Sequence, residues 1–523
     1  MQNNHILSEK YWNSFEIGKT DIDFIYNFLL EKETPQSSQS LIKAIVEQRI
    51  VLENEKKQSS KNSKEKIYFP KEEYQVGDIV RFPSLDDQVG TVKNVRAGIN
   101  PDIPSFSVMT VGFEGNYAKD FAIGVEEHTL NHIFDLPEND PNYDPVQIIE
   151  NYGENLINVL EESLRDNDDL VKIAGNWFPR SLLIDVHIGH LNLVEAILEE
   201  ANGGPIGTVD LMNQVEFEAN ADKKLLEFSF DLALQEDDRF DEVGPSGETL
   251  WFLHAMEPEP VRRTPIFLNS TVDTIPGEST EEYLKLFEST VYDELESQDL
   301  QDVIANKAII AVNYPHWRVG TLPLPKTLSK MFPTAYEAPR VKFTFVDKDE
   351  KFPGWVVRTK RYVYGLKDWY EKNDILPGSL IKVRKGKNPG EIAISFDKSR
   401  QNKEWLKTVL VGSDNGIVFA MLKQPINADF NERMALVVTD VDALDNVWEK
   451  KIFISEPIVK TVNRILHELI KLNPQGQVHA LEIYSSVNVV RRCPPSSVIK
   501  VLIDNPDIEY LGDLYFKFRE KGI

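Results

Sequence analysis

The stretch that most constrains the fold is residues 225–253, where a helical period gives way at once to two short extended runs. Apolar residues recur at helical spacing up to residue 236, and a turn containing Gly247 then separates two runs with strand character. A helix that leads directly into a tight ribbon buries its apolar face against other elements of the same small domain. We therefore expect further short helices just upstream.

Those helices are predicted between residues 191 and 215. Residues 191–201 have helical spacing and end at Gly203-Gly204-Pro205, because glycine stops a helix and proline cannot continue it. Thr208 is suited to cap a second short helix through Val215. Short helices followed by a ribbon form the second half of a winged helix, so the sequence predicts one here.

Residues 189–253 resemble the HARE-type winged helix, the domain that the delta subunit of bacterial RNA polymerase shares with several chromatin and restriction-associated proteins. The resemblance rests on the aspartate-rich turn, Arg239-Phe240, Gly247 and Trp251. It implies a module for protein contact or DNA recognition. The third helix carries Glu227, Asp231 and Glu236, and such an acidic helix is poorly suited to approach phosphates in a major groove.

A second copy of the same order is predicted at the C-terminus. Residues 457–472 read as a helix, a short second helix follows, Pro494-Pro495 begins a third, and residues 508–518 form a ribbon. This copy is less acidic. Three cations at or near its third helix are candidates for DNA contact: Arg491, Arg492 and Lys500.

The region 355–407 is the one broad basic stretch, with 13 Lys and Arg against 6 Asp and Glu. Within it, "LKDWYEKNDILPGSLIKV" resembles the plant-type DNA-binding pseudobarrel, also found in some restriction endonucleases. In that family a tryptophan-bearing helix precedes Asn, a hydrophobic residue, Gly and an apolar strand. Ser379 stands where an acidic residue is more usual. The resemblance implies phosphate or base contact by Arg358, Lys360, Arg361, Lys382, Arg384, Lys385 and Lys387. The alternative is a barrel with a solvated basic face.

The N-terminal third combines helices with a strand-rich stretch. Residues 21–32 and 41–55 are helical in spacing, as in a degenerate winged helix whose wing is the polar insert up to residue 66, or as in a plain helical hairpin. From residue 67 onward the period is that of strands. Residues 76–95 resemble the SH3-like barrels of the KOW and Tudor type, which implies an interaction module.

The predicted fold class is therefore α+β multidomain, with winged-helix domains alternating with small β-barrels. The predicted boundaries are 1–66 for the helical or degenerate winged-helix domain, 67–136 for the SH3-like barrel, 147–263 for the HARE-like winged helix, 264–339 for a linker and packing segment, 340–452 for the basic barrel and 456–523 for the C-terminal winged helix.

Charge and composition limit the function. A net charge of −26 argues against a protein that coats nucleic acid indiscriminately, so any contact must be local. Cys493 is the single cysteine, which excludes an internal disulfide and indicates a buried structural thiol in a reducing compartment. No run is long and apolar enough to span a bilayer and the start has no signal-peptide pattern, so we expect a cytoplasmic protein without a membrane partner.

No catalytic motif emerges from the sequence. A phosphate loop, a nucleophile elbow, a zinc cluster and HExxH are all missing, and Glu371-Lys372 and residues 391–398 lack the spacing of a nuclease Glu-x-Lys. His128 and His132 are four apart but lack a ligand pattern around them, so we predict no metal site. We expect no enzyme activity and no cofactor.

Two functions follow from these patterns. The first is a DNA-binding or transcription-associated protein, in which the basic barrel and the C-terminal winged helix contact nucleic acid while acidic modules bind protein, such as RNA polymerase. The second is a protein-interaction scaffold, or the targeting subunit of a restriction or defence assembly. The sequence leaves the oligomeric state open.

Overall fold

The computed structural model describes residues 7–62, 65–82, 85, 88–99, 106–113, 117–132, 141–165, 167–215, 222–271, 278–296, 306–335 and 338–519. These residues form a mixed α+β structure with sixteen α-helices and several separate sheets. The chain divides into two compact units, Met1–Ile184 with Ala221–Leu226, and Asp185–Asn220 with Glu227–Ile523. None of the helices in the described ranges is both long enough and apolar enough to cross a membrane.

The first unit consists, in its described residues, of a helical part and a five-stranded sheet. Its elements are α1 Glu9–Asn13, α2 Lys19–Lys32, β1 Gln36–Ser37, α3 Ser38–Asn62, β2 Glu65–Ile67, β3 Ile79–Phe82, β4 Gln88–Ala97, β5 Ser107–Phe113, β6 Ala118–Ile123, α4 Pro145–Arg165, β7 Leu170–Ile173 and β8 Asn176–Pro179.

The five-stranded sheet is inserted in the sequence of the helical part, between α3 and α4. The elements on both sides of this insertion form one module, which we call the first module. It comprises α2, β1, α3, α4, β7 and β8, and its sheet has the order β1-β8-β7. Gln36 pairs with Trp177, whose Nε1 donates to Ser38 Oγ at 3.0 Å. One of the two sequence interpretations placed a wing before residue 66, whereas the ribbon of this module is β7–β8 and lies beyond α4.

The strands β2 to β6 lie in sequence between α3 and α4 and form one sheet in the order β2-β3-β4-β5-β6. Phe82 and Met109 are fully buried in its core, where the rings of Phe82 and Phe121 lie 4.2 Å apart. The strand-rich prediction for this stretch is confirmed at the level of secondary structure. The side chain of His132 lies outside the described residues.

The second unit holds the remaining elements, except that the helix α7, Lys223–Gln235, begins within the segment Ala221–Leu226 of the first unit. These are α5 Ile188–Glu200, β9 Ile206–Gly207, α6 Thr208–Val215, α7 Lys223–Gln235, β10 Phe240–Glu242, β11 Leu250–Leu253, α8 Glu259–Arg262, α9 Glu278–Leu284, β12 Lys307–Ala311, α10 Tyr314–Val319, β13 Thr321–Pro323, α11 Lys326–Ser329, β14 Arg340–Asp347, β15 Glu350–Val357, β16 Tyr362–Tyr364, α12 Lys367–Lys372, β17 Leu380–Lys385, β18 Glu391–Phe396, β19 Lys403–Val411, β20 Ile417–Pro425, β21 Leu436–Val438, α13 Val441–Glu449, α14 Ile458–Ile470, β22 Val478–His479, α15 Ala480–Val487, α16 Pro495–Asp504, β23 Ile508–Gly512 and β24 Tyr515–Phe518.

Two further modules repeat the element order of the first. The second module is α5, β9, α6, α7, β10 and β11, and the third is α14, β22, α15, α16, β23 and β24. In each of the three, the order is helix, strand, two helices and two strands. The last strand always lies between the other two, as in β10-β11-β9 and β22-β24-β23. The predicted helices and ribbons of the second and third modules are therefore confirmed as elements.

A seven-stranded sheet stands between these two modules in sequence, with the order β12-β17-β18-β14-β15-β16-β13. Its core contains Phe345, Val356 and Ile381, all fully buried. Residues 264–339, interpreted from the sequence as a linker and packing segment, instead supply β12 and β13 as two of its strands.

The predicted domain that begins at residue 147 does not agree with this division. Residues 147–184 were grouped with the HARE-like segment, whereas α4, β7 and β8 lie in the first unit. The apolar face of α4 explains this, because Leu156 and Leu160 are fully buried in one core with Trp12 and Leu29. Cys493 is buried, and burial raises the pKa of its thiol to about 12, as expected of a structural cysteine.

Candidate nucleic-acid interface

Two basic turns lie at one end of the seven-stranded sheet. The turn Arg358–Lys360 connects β15 to β16, and residues 386–390 connect β17 to β18. Because β14 is parallel to β18 and antiparallel to β15, β15 ends and β18 begins at the same end of the sheet. The two basic turns that the sequence singled out therefore face the same end of the sheet.

Five of the predicted cations are available at this end. None of them has an ion-pair partner among the described residues, and all but Arg361, which is half-buried, are exposed: Lys360, Arg361, Arg384, Lys385 and Lys387. Cations without ion-pair partners are suited to phosphate oxygens, and the nearby carboxylate of Glu391 is already paired with Lys351 at 2.6 Å.

Lys307 belongs to the same surface, although the sequence did not single it out. It is exposed at the start of β12 and pairs across the strands with Arg384. Directly opposed side chains of an antiparallel pair have Cβ atoms about 5 Å apart, and like charges there are destabilising. An anion bound between them would relieve that repulsion. We call Lys307 and the five cations above the basic end.

Arg358 and Lys382, two of the residues predicted to contact nucleic acid, instead make contacts within the chain. The Arg358 guanidinium donates to the backbone carbonyls of Phe332 and Pro333, and burial lowers its pKa. Lys382 Nζ lies 2.5 Å from Asp397 Oδ2 in an ion pair. Both residues contribute less free charge to the surface than their sequence positions indicate.

Arg491 and Arg492 are not available for DNA, which corrects the sequence prediction for the C-terminal copy. Arg491 is buried and donates to the carbonyls of Phe453 and Glu456. Arg492 is fully buried. Lys500 is partly exposed but pairs with Asp504 at 2.7 Å, one helical turn away. Arg491 and Arg492 lie between α15 and α16, and residue type alone does not reveal that a cation in such a connection is buried.

Arg492 neutralises a buried acidic pair. Its guanidinium donates to both carboxylate oxygens of Asp293 and to Glu294 Oε1 at 2.9 Å. Glu294 Oε2 lies 2.8 Å from His316 Nε2. Burial alone would raise the pKa of Glu294, but Arg492 and His316 hold it well below its usual range. The network joins residues before β12 to the third module and is structural.

The pseudobarrel-like motif occupies α12 and the turn before β17. Trp369 is buried on α12, and its Nε1 donates to Asp347 Oδ2 at 2.9 Å. Gly378 has φ +92°, and a Cβ there would lie 2.4 Å from Ala435 Cα. Ser379 Oγ accepts a hydrogen bond from Leu376 N at 3.1 Å, as a carboxylate at this place could. The motif positions β17, which carries Arg384 and Lys385.

The third helices of the second and third modules are largely covered. From residue 228 to 234, α7 has one half-buried residue and six buried ones, and residues 495–499 of α16 are all buried. Asp231 accepts hydrogen bonds from Thr208 Oγ1 and Trp251 Nε1. Burial raises the pKa of Asp231 to about 7, against these hydrogen bonds. Neither helix presents a face that could enter a groove.

One cluster in the described part of the chain has the spacing of metal ligands. The ligand atoms of Asp241, His254 and Glu257 lie within 4.8 Å of one another. Nη1 of Arg340 lies 3.0 Å from Glu257 Oε2 and 3.3 Å from His254 Nδ1, and it also donates to Asp241. The guanidinium thus occupies the position that a metal ion would take. Burial and the nearby Asp241 raise the pKa of Glu257 to about 8.

Comparisons with protein-family models, with curated proteins and with solved structures found no match for this chain.

Proposed function

We propose that this chain is a non-catalytic DNA-binding protein in which the basic end of the seven-stranded sheet contacts the phosphate backbone. The observation that carries the proposal is the basic end itself, which gathers six cations without ion-pair partners in the described structure. The chain as a whole has a net charge of −26, so it repels DNA elsewhere. Contact is therefore confined to this surface.

The likeness to the plant-type pseudobarrel supports the same surface. Its motif lies on α12 and β17, and β17 carries Arg384 and Lys385 into the basic end. Lys360 and Arg361 come from the neighbouring turn after β15. A contact made by two turns and a strand end positions a duplex through its phosphates, and base-edge contact by Arg384 or Arg361 would add sequence preference.

The three modules are proposed to be winged helices that serve as scaffold and protein-docking elements. Their shared element order and sheet pairing support this assignment, as does the HARE-type resemblance of the second module. Because the third helices α7 and α16 are largely covered, these modules do not read a groove in our proposal. A transcription-associated partner such as RNA polymerase would dock on them.

Duplex binding by the full chain tests the proposal. We expect fluorescence anisotropy of a labelled duplex to show binding that weakens steeply as salt rises, because bound cations release counterions. The triple variant Arg384→Glu, Lys385→Glu and Lys387→Glu should abolish it. Single Ala variants should reduce the salt slope by about one for each phosphate contact removed.

A matched triple variant separates local contact from net charge. Lys10→Glu, Lys19→Glu and Lys71→Glu change exposed lysines of the first unit and alter the net charge by the same amount. We expect this control to keep most of the affinity. Equal losses in both triple variants, or binding that is independent of salt, would exclude the basic end as the interface.

The alternative is a protein-interaction scaffold or the targeting subunit of a restriction or defence assembly. It is favoured by the covered third helices and by the exposed acidic face of α4, which includes Glu150 and Glu154. Affinity capture with the full chain and with the triple variant distinguishes the two. A protein partner retained equally by both, without duplex binding, would support the scaffold.

A further inference from the structure

The strand β20 forms an open edge of the sheet β20-β19-β21. It runs for nine residues, and no other strand in the described part of the chain pairs with its outer side. Proteins usually protect such an edge by shortening it, by placing charges on it or by covering it. Here Lys423 and Pro425 protect only the final residues. The first six positions have no charge.

The hydrogen-bond pattern shows which backbone groups face outward. Gly412 N donates to Gly416 O, and Ile426 N donates to Asn402 O. These are hydrogen-bonded pairs at the two ends of the β19–β20 ladder, and such pairs alternate along an antiparallel ladder. The even-numbered residues of β20 therefore bond to β19. The N–H and C=O groups of residues 417, 419, 421 and 423 point to the open edge.

The even-numbered side chains form an apolar stripe on the exposed face. Val418 is 47% and Leu422 is 40% exposed, and the half-buried Ala420 lies between them. Leu410, which pairs with Val418, is 38% exposed on the same face. The opposite face carries Ile417 and Phe419 into the core against the third module, while Met421 on that face is 40% exposed.

We propose that β20 pairs with β20 of a second copy of this chain, antiparallel and with a two-fold axis at Ala420. In this register Val418 of one copy faces Leu422 of the other, and Ala420 faces Ala420. The outward backbone groups then bond residue 417 to residue 423 and residue 419 to residue 421. The stripe is thus complementary to itself, as an isologous interface requires. A two-fold axis at Met421 would instead oppose Val418 and Gln424.

The charges at the two ends of the β19–β20 hairpin also favour a second copy of this chain as the partner of β20. The β19–β20 turn carries Asp414 at one end of the hairpin, and Lys403 and Lys423 lie at the other end, all exposed. Antiparallel pairing of two copies places the acidic turn of each beside the basic end of the other hairpin. Two identical edges would therefore attract each other at both ends as well as along the apolar stripe.

A disulfide placed on the two-fold axis tests the register directly. Residue 420 would face itself in a non-hydrogen-bonded pair, where Cα atoms are about 4.5 Å apart and a disulfide can form. The native Cys493 is buried, so the introduced thiol would react alone. We expect Ala420→Cys to give a covalent dimer under mild oxidation on a non-reducing gel. The matched control Leu410→Cys, on the same face of the inner strand, should stay monomeric.

Charge exchange tests the same pairing without a thiol. Val418→Glu alone and Leu422→Lys alone should each shift the light-scattering mass of the full chain from dimer to monomer. The double variant should recover the dimer, because the introduced carboxylate at position 418 of one copy then faces the introduced ammonium at position 422 of the other. Circular dichroism would confirm that the single variants are folded.

The proposal fails if the unmodified chain is monomeric by light scattering and Ala420→Cys crosslinks no more than Leu410→Cys. Such a result would leave the edge for a strand of another protein. It also fails if a dimer forms that neither the crosslink nor the charge exchange affects, because that dimer would use a different surface.

Discussion

Arg492 and Asp293 form a bidentate ion pair, with Nη1 to Oδ2 at 2.9 Å and Nη2 to Oδ1 at 2.6 Å, and neither side chain is exposed. The two residues are 199 positions apart in the sequence. The pair fixes the segment before the seven-stranded sheet to the third module. Arg492, which the sequence indicated as a candidate for DNA contact, therefore has a structural role.

Removing the guanidinium should destabilise the second unit strongly. Arg492→Ala leaves Asp293 and Glu294 buried without their cation, and breaking a buried pair typically costs about 3–5 kcal/mol. We expect a clear fall in the melting temperature measured by calorimetry. Lys500→Ala is the control, because its pair with Asp504 is partly exposed and such pairs contribute at most about 1 kcal/mol. Equal melting temperatures for the two variants would contradict this role.

Asp231 should make stability depend on pH. Its pKa is raised to about 7 in the fold, so its stabilising contribution is full below its unfolded pKa, near 4, and is lost as the pH rises to 7. The slope is at most about 1.4 kcal/mol per pH unit. Asp231→Asn keeps an acceptor for Trp251 and Thr208, so its stability relative to wild type should increase between pH 4 and 7. Chemical unfolding of both proteins across this range measures the difference, and a constant difference would contradict it.

The variant Asp231→Ala distinguishes the contribution of the hydrogen bonds to stability from that of the charge. This variant leaves the buried hydroxyl of Thr208 without its acceptor, while Trp251 Nε1 keeps only Thr208 Oγ1, and the loss should cost about 1–3 kcal/mol at every pH. We therefore expect it to be less stable than Asp231→Asn throughout. The two variants would be equal only if the acceptor were unimportant.

Gly378 should tolerate no side chain. It has φ +92° and a Cβ would meet the Ala435 backbone at 2.4 Å, whereas Gly390, with φ +74°, has open space around that position. Gly390→Ala should cost about 1–2 kcal/mol from the left-handed backbone alone. Gly378→Ala should cost more, as measured by thermal unfolding, because the backbones must also separate. A smaller loss at Gly378 than at Gly390 would contradict this packing.

Cys493 should be unreactive in the native protein. Its thiol is fully buried, and burial raises its pKa to about 12, so almost no thiolate forms near neutral pH. We expect a disulfide reagent to label the chain only after denaturation. Rapid labelling of the folded chain would show that the segment around Asn488 and Cys493 opens locally.

Lys307 should contribute to duplex affinity more than Lys382 does, if the basic end binds DNA. Lys307 has no ion-pair partner in the described ranges, whereas Asp397 already neutralises Lys382. We expect Lys307→Ala to reduce both the affinity and the salt slope, and Lys382→Ala to change them less. The reverse order would indicate that the contact surface lies closer to β18.

The sequence predicted the helices and ribbons of the second and third modules well, because local signals mark them. Pro494-Pro495 begins α16 and Gly247 marks the turn before β11. It did not predict the sheet of the first module, because β1 has two residues and its partner lies beyond an inserted sheet. Lys307 was missed for a related reason. Only strand pairing places it beside Arg384, and no local pattern reports such a pairing.

The inserted five-stranded sheet sets the order in which the chain can fold during synthesis. In the first module, Gln36 cannot pair until Trp177 has been synthesised. In the other two modules the paired residues are closer in sequence, since Ile206 pairs with Trp251 and Val478 with Phe516. The longer separation adds about 1 kcal/mol of loop-closure entropy relative to the second module. A ribosome therefore releases α2 and α3 well before α4 can cover their apolar faces. The apolar faces of the N-terminal helices therefore stay exposed on the nascent chain until α4 has emerged, which is the kind of surface that chaperones bind.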